Sequence, residues 1–258
     1  MFEERLNTMT QIILSGCTGH MGKTIRDCVS QREGCEIAAG FGIGEHDCTF
    51  PVYANPSDCK EQGDVIIDFS NPALLTSLLC FAKENKLPIV LCTTGFSKEQ
   101  IAEIHEASKE IPVFFSANMS LGINLLVELA KKAAKILSPT FDIEIIERHH
   151  NQKVDAPSGT ALMLADAINE TLDGADHYVY DRHSVRQKRE KHEIGIHSIR
   201  GGTIVGEHEV LFAGNNEMLS LTHTATSKAV FAEGAINAAV FLTNRTPGLY
   251  NMKDMMEE

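Results

Sequence analysis

The sequence predicts an α/β protein: an N-terminal doubly wound (Rossmann) parallel sheet, then a second α+β domain with an open mixed or antiparallel sheet. Three observations lead there. A short apolar strand near the start runs directly into a glycine-rich turn and a helix, strand and helix patterns then alternate through the first half, and three strand patterns separated by glycine turns follow later. Alternating strands and helices imply parallel pairing, because each parallel connection needs a crossover. A run of strands after such a half marks a separate domain. The expected division is residues 1–119 with 227–258 for the first domain and 120–226 for the second.

Residues 1–8 read as a short extension without the basic, apolar and small-residue regions of a secretory leader. Residues 11–15 are the first strand, and Gly16-Cys17-Thr18-Gly19-His20-Met21-Gly22 opens a helix that runs to about Ser30. Glycines at such a junction allow a tight turn and the approach of a pyrophosphate to the backbone, while the helix N-terminus supplies positive potential. The spacing is G-x-x-G-x-x-G rather than G-x-G-x-x-G, which a plain glycine-rich turn also satisfies; its place after the first strand favours a dinucleotide. Residues 36–41 form the second strand, at whose end an acidic residue usually meets the ribose diol. Here Gly42-Ile43-Gly44 follow, with Glu45 read as a solvated loop carboxylate, so NADH and NADPH both stay open.

Residues 64–70 read as a buried parallel strand, and Ser70 or Asn71 caps a helix over 73–85 with Pro72 near its first position. Residues 88–92 are the next strand, a helix covers 98–109, and residues 112–116 are another strand. The loops at the carboxyl ends of these strands carry Cys92, Thr93 and Thr94, and Ser116, Ala117, Asn118 and Met119. Such loops line ligand sites in doubly wound sheets, although the same residues also serve as helix caps.

Residues 122–137 form a long helix with Leu125, Leu126, Leu129, Ala133 and Ile136 at helical spacing, stopped by Ser138-Pro139. Residues 141–147 are a strand with Phe141, Ile143 and Ile145 on one face, which delivers Arg148, His149 and His150 at its end. Ser158 then caps a helix that turns Ala161, Leu162, Ala165 and Ile168 toward a core. Residues 173–191 are a polar excursion. Strands at 193–200, 203–212 and 218–224, parted by Gly201-Gly202 and Gly214-Asn215-Asn216, suggest an antiparallel meander. An open sheet of this kind packs on another copy, so an oligomer is expected. An apolar helix over 227–244 and a short tail complete the chain.

A formal net charge of −12 over 258 residues argues against nucleic acid and anionic membranes as partners, and no apolar run reaches spanning length. Seven cysteines without a C-x-x-C pair read as reduced thiols in a cytoplasmic protein. The chemistry concentrates between His149 and Thr160. Adjacent imidazoles handle protons, Lys153 can neutralise a carboxylate, and Ser158, Gly159 and Thr160 open a helix able to hold an anion. No metal is expected, since no cysteine is near and Glu147 and Asp155 are the local carboxylates.

The stretch from Glu147 to Ala161 resembles the signature E-x-H-H-x-x-K-x-D-A-P-S-G-T-A of the 4-hydroxy-tetrahydrodipicolinate reductase (dihydrodipicolinate reductase) family of the diaminopimelate and lysine pathway. Gly16 to Gly22, Thr93 to Phe96, Ala117 to Asn124 and Ile204 to His208 join it. The resemblance implies NADPH or NADH as cofactor and a small dicarboxylate as substrate. His149 would be proton donor and acceptor and Lys153 proton donor, with His150, Ser158, Gly159 and Thr160 binding substrate. Gly16, Cys17, Thr18, Gly19, His20, Met21, Cys92, Thr93, Thr94, Ser116, Ala117, Asn118 and Met119 would bind cofactor. It further implies a homotetramer assembled through the second-domain sheets. The alternatives are another two-domain dehydrogenase of amino-acid metabolism and a non-catalytic nicotinamide sensor.

Overall fold

The first strand, β1 (Thr10–Ser15), pairs in parallel with β2 (Cys35–Phe41) on one side and β4 (Val65–Asp68) on the other. The computed structural model describes residues 9–138 and 140–257. The expectations for the N-terminal extension and for Pro139 as a helix stop therefore lie outside the described residues. Beyond β2 lies the short β3 (Val52–Tyr53); beyond β4 lie β5 (Ile89–Leu91), β6 (Pro112–Phe115) and β12 (Gly248–Tyr250), all parallel. From β3 to β6 this is the 3-2-1-4-5-6 order of a dinucleotide-binding sheet, whose direction of winding reverses between β1 and β4.

Each central strand carries a continuous apolar stretch, residues 12–14 in β1 and 65–67 in β4, because its two faces feed two cores. Ile12, Leu14, Val65 and Ile67 join one cluster with Ala235 and Ala239, while Ile13 and Ile66 join the other with Leu78 and Ile104. Helices α1 (His20–Ser30) and α6 (Ala229–Leu242) belong to the first layer, and α2 (Leu75–Glu84) and α3 (Lys98–Ala107) to the second. Full burial of each Ile, Leu or Val side chain among these stabilises the fold by about 1.5–3 kcal/mol. Strand and helix do not alternate strictly, because the connection from β2 to β4 carries β3 and a 3-10 turn at Pro56–Asp58 in place of a helix. The expected short tail also holds the seventh strand of the sheet, β12.

The second sheet has the order β11-β10-β7-β9-β8. Its strands are β7 (Asp142–His149), β8 (His177–Val179), β9 (Glu193–Arg200), β10 (Gly206–Ala213) and β11 (Met218–Ala225). The meander expectation is corrected here. The last two strands pair antiparallel, but β7 lies between β9 and β10 and pairs in parallel with β9. Gly201-Gly202 makes no hairpin: the Gly201 amide donates to the His149 carbonyl at 2.9 Å and the Asn151 amide to the Gly202 carbonyl at 3.1 Å, prolonging the β7–β9 ladder.

Helices α4 (Leu121–Leu137) and α5 (Gly159–Thr171) cover one face of this sheet, around Ile143, Ile145, Val210 and Phe212. On α4 the inward positions are Ile123, Leu126, Ala130 and Ala134, whereas Leu125, Leu129 and Ile136 are exposed. By its internal contacts the chain divides into two compact units, Met1–Ser120 with Ala229–Glu258, and Leu121–Lys228.

Candidate active site

At the β1–α1 junction the backbone leaves little room. Gly16 adopts φ +80°, and a Cβ there would lie 2.4 Å from the Phe69 carbonyl oxygen; a Cβ on Gly22 would lie 2.2 Å from the Gly16 carbonyl oxygen. Glycine is therefore required at both positions. Helix α1 starts after Gly19 with no side-chain cap and no acidic residue in its first turn, so the positive end of its dipole is left for an anion. A cavity of about 510 Å³ adjoins the turn, bordered by Gly16, Thr18, Gly42, Ile43, Ser70 and Asn71. These features fit a dinucleotide. Gly42, standing where an acidic residue was expected, packs on Thr18: a Cβ at Gly42 would come within 2.6 Å of its methyl carbon.

The other residues expected to meet cofactor divide by accessibility. Cys17, Cys92 and Met119 are buried, and their side chains belong to the core or its edge. Burial pushes the Cys17 thiol up to about 12, with Cys48 beside it adding to the effect, and raises that of Cys92 well above its ordinary value. Thr93 is also buried; its hydroxyl donates to Asp68 at 2.7 Å and accepts from the Ser70 amide at 2.9 Å. Asp68 receives the Ser70 hydroxyl at 2.5 Å as well, and its carboxyl is raised by burial against these hydrogen bonds. Thr93 thus braces the ends of β4 and β5, while Thr94 next to it is exposed. Ser116 donates to the Asn118 carbonyl at 3.0 Å, and the Asn118 side chain accepts from the Ser120 amide at 2.8 Å, fixing an Asx turn. Ala117 and His20 are exposed, and Met21 is half-buried against the core.

In the second unit, strand alternation does something the sequence reading did not draw out. The inward face that begins with Ile143 and Ile145 continues through Glu147 and His149, placing a carboxylate and an imidazole on the buried side of β7. Glu147 is fully buried. It receives the Arg200 guanidinium on both oxygens at 2.7 Å, the Ser158 amide at 3.1 Å and His149 Nδ1 at 2.6 Å. Arg200 also donates to the Asp155 carbonyl at 2.6 Å, so one ion pair ties β7, β9 and the loop between β7 and α5. Burial would raise the Glu147 carboxyl, but hydrogen bonds from Arg200, His149 and Ser198 hold it down to about 2.

The remaining loop residues are arranged around this pair. Ser158 caps α5 by accepting from the Ala161 amide at 3.2 Å, and its hydroxyl lies 3.0 Å from His208 Nε2. His208 stacks edge-on against His149 with centroids 5.2 Å apart. Burial, then the nearby His149, lower His208 to about 4, so it is neutral near pH 7. Lys153 is largely buried, with Nζ 2.8 Å from the exposed carboxylate of Asp155, and its hydrogen bond holds that carboxylate below its usual range. His150 is half-buried and its carbonyl accepts from the Lys153 amide at 3.2 Å. Gly159 is exposed, with nothing within 4 Å of a Cβ built there, which leaves room for a ligand over the first turn of α5; Thr160 follows, half-buried.

The sequence reading missed Arg200 and gave no role to Glu147, Gly206 or His208. A Cβ on Gly206 would lie 3.1 Å from His149 Nε2, so the glycine keeps that nitrogen clear. The period-two pattern of β7 was the signal for Glu147; Arg200 is 53 residues away and nothing local marks it. Among the described residues, the group with metal-ligand spacing is His177, Glu190 and Glu193, outside this loop, and Glu193 there is paired with Arg182 at 2.8 Å.

Residues 10–119 match the family dihydrodipicolinate reductase, N-terminus, and residues 122–256 match dihydrodipicolinate reductase, C-terminus. The 4-hydroxy-tetrahydrodipicolinate reductase of Caldanaerobacter subterraneus subsp. tengcongensis is 50% identical over 250 residues, covering 97% of this chain and 99% of the relative. That of Clostridium novyi is also 50% identical over 250 residues, covering 96% and 99%. Among solved structures, the dipicolinate-bound dihydrodipicolinate reductase of Paenisporosarcina sp. TG-14 superposes with a TM-score of 0.80 at 24% identity, covering 95% of this chain and 98% of that one.

Proposed function

The chain belongs to the dihydrodipicolinate reductase family, and from that premise we propose that it is a 4-hydroxy-tetrahydrodipicolinate reductase. It reduces the dehydrated cyclic imine dicarboxylate to tetrahydrodipicolinate with NADH or NADPH, in diaminopimelate and lysine biosynthesis. The observation that carries the chemistry is the single loop that gathers a carboxylate-held imidazole, an ammonium and an open helix start.

A reduced nicotinamide, when bound, supplies the hydride. The glycine turn at Gly16, with the loops 92–94 and 116–119 at the carboxyl ends of β5 and β6, would hold that cofactor. Reduction leaves negative charge on the substrate's conjugated system, and His149 would quench it with a proton. Lys153 would serve as proton donor and, with the amide dipoles at Gly159 and Thr160, stabilise the charge and hold a carboxylate. His150 and Ser158 complete the substrate side.

A homotetramer is supported by apolar side chains left open on the second unit, Ile199, Met218 and Leu219, on strands whose sheet has an outer face. Among the described residues no helix is long and apolar enough to cross a membrane, and the seven cysteines are free, which supports the cytoplasm as its place. Steady-state oxidation of NADH and of NADPH with freshly generated substrate tests the reading. Substrate-dependent turnover with at least one cofactor is expected, and its absence with both rejects the assignment.

A further inference from the structure

We propose that Glu147 is a positioning residue that sets which nitrogen of His149 carries the exchangeable proton, and that Arg200 holds Glu147 ionised for that purpose. This rests on the reading of His149 as the proton-handling group.

The geometry is specific. A carboxylate that takes a guanidinium on both oxygens is an acceptor and has no proton to give, so at 2.6 Å the Nδ1 of His149 must be the donor. Nε2 is then the nitrogen that gains and loses a proton, as in imidazoles oriented by a carboxylate elsewhere. It is also the nitrogen that Gly206 keeps clear. The Ser158 amide fixes the carboxylate from the α5 side, so the helix start and the imidazole share one anchor.

The charged and titratable groups around the ring come from every packed element. They are Glu147 on its own strand, Arg200 on β9 through Glu147, and His208 on β10, which in turn meets His223 on β11 and Lys153 on the loop. Glu147 is hydrogen-bonded to the imidazole at 2.6 Å. A glutamine at this position keeps the shape, removes the charge and brings an NH₂ group able to donate to Nδ1, which would invert the tautomer.

The first experiment needs no variant. In native chain labelled with ¹⁵N-histidine, two-bond proton–nitrogen correlations at alkaline pH report the tautomer of neutral His149, assigned by its loss in His149→Ala. The Nδ1–H form is expected, and the Nε2–H form overturns the proposal. The second is Glu147→Gln, for which kcat is expected to fall about 10²–10⁴-fold, with the alkaline limb of the kcat/KM profile moved to lower pH. A loss of kcat with an unmoved pH limb indicates a purely structural role and overturns the proposal; should the variant not fold, the native-chain tautomer decides. Near-native turnover in His149→Ala removes the underlying reading of His149 and is told apart from failure here, because the tautomer is read without substrate.

Discussion

The β1–α1 and β7–α5 junctions both lead from a strand into the start of a helix, yet they are made from opposite materials. The first works by absence: no Cβ fits at Gly16 or Gly22, no side chain caps α1, and no acidic residue stands in its first turn. The second works by side chains held in place, with Glu147, Arg200, His149, Ser158 and His208 in one buried hydrogen-bonded group and Lys153 on the loop beside it. On the proposed function, the difference follows from the tasks. A pyrophosphate must be approached closely and keeps its charge throughout, so backbone dipoles suffice. A reacting ring changes charge, and that change must be met by groups whose own protonation is controlled.

The largest expected effect falls on the side-chain junction. His149→Ala or Lys153→Ala lowers kcat by about 10²–10⁴-fold in steady-state assays. If both variants turn over at near-native rates, the division of labour drawn here is wrong.

The glycine junction should break through its backbone instead. Gly16→Ala puts a Cβ 2.4 Å from Phe69 at φ +80° and is expected to cost about 1–3 kcal/mol of stability, read by urea unfolding, with weakened cofactor binding read by calorimetric titration. Unchanged stability would show that the turn relaxes.

Acid should separate the two regions as well. His208, lowered from 6.5 to about 4 by burial and then by His149, contributes stability that is present above pH 6.5 and is lost as pH falls toward 4. Glu147, held down to about 2 against burial by Arg200 and His149, contributes stability lost at still lower pH, between about 4.5 and 2. Asp68 has the opposite sign: its raised carboxyl favours the fold below the ordinary carboxylate range and disfavours it above. Hydrogen exchange at about pH 5 should therefore show β7, β9 and β10 losing roughly 2 kcal/mol of protection relative to neutral pH, with no loss in β1 and β4. Uniform loss across both sheets would contradict this.

The smallest effect is expected at Gly159. Nothing lies within 4 Å of a Cβ there, so Gly159→Ala should shift stability by less than about 0.5 kcal/mol while raising KM for the substrate. Unchanged KM would remove Gly159 from the substrate site.

The same contrast explains what could be read in the sequence. The glycine turn, the strand and helix periods and the Ser158 cap are local patterns, and each stands where its residues placed it. The pairing of β7 with β9 is not local: Gly201-Gly202 has the composition of a hairpin turn and is recruited by the end of β7 instead. The three-residue β12 is too short to show a period. In the site, His149, Lys153 and Glu147, which holds the imidazole, stood in one contiguous motif, but Arg200, which holds Glu147, and His208, which packs on the ring, come from β9 and β10, which the topology brings together and the motif does not contain.

The claim that the glycine turn and the histidine loop serve a single hydride transfer has a direct measurement. The native chain is given freshly generated substrate and reduced nicotinamide bearing deuterium at the transferring position, and the product is weighed by mass spectrometry. One deuterium per tetrahydrodipicolinate is predicted, with the yield of labelled product falling in Lys153→Ala in step with kcat. Product without deuterium, or no product from the native chain with either cofactor, would contradict it.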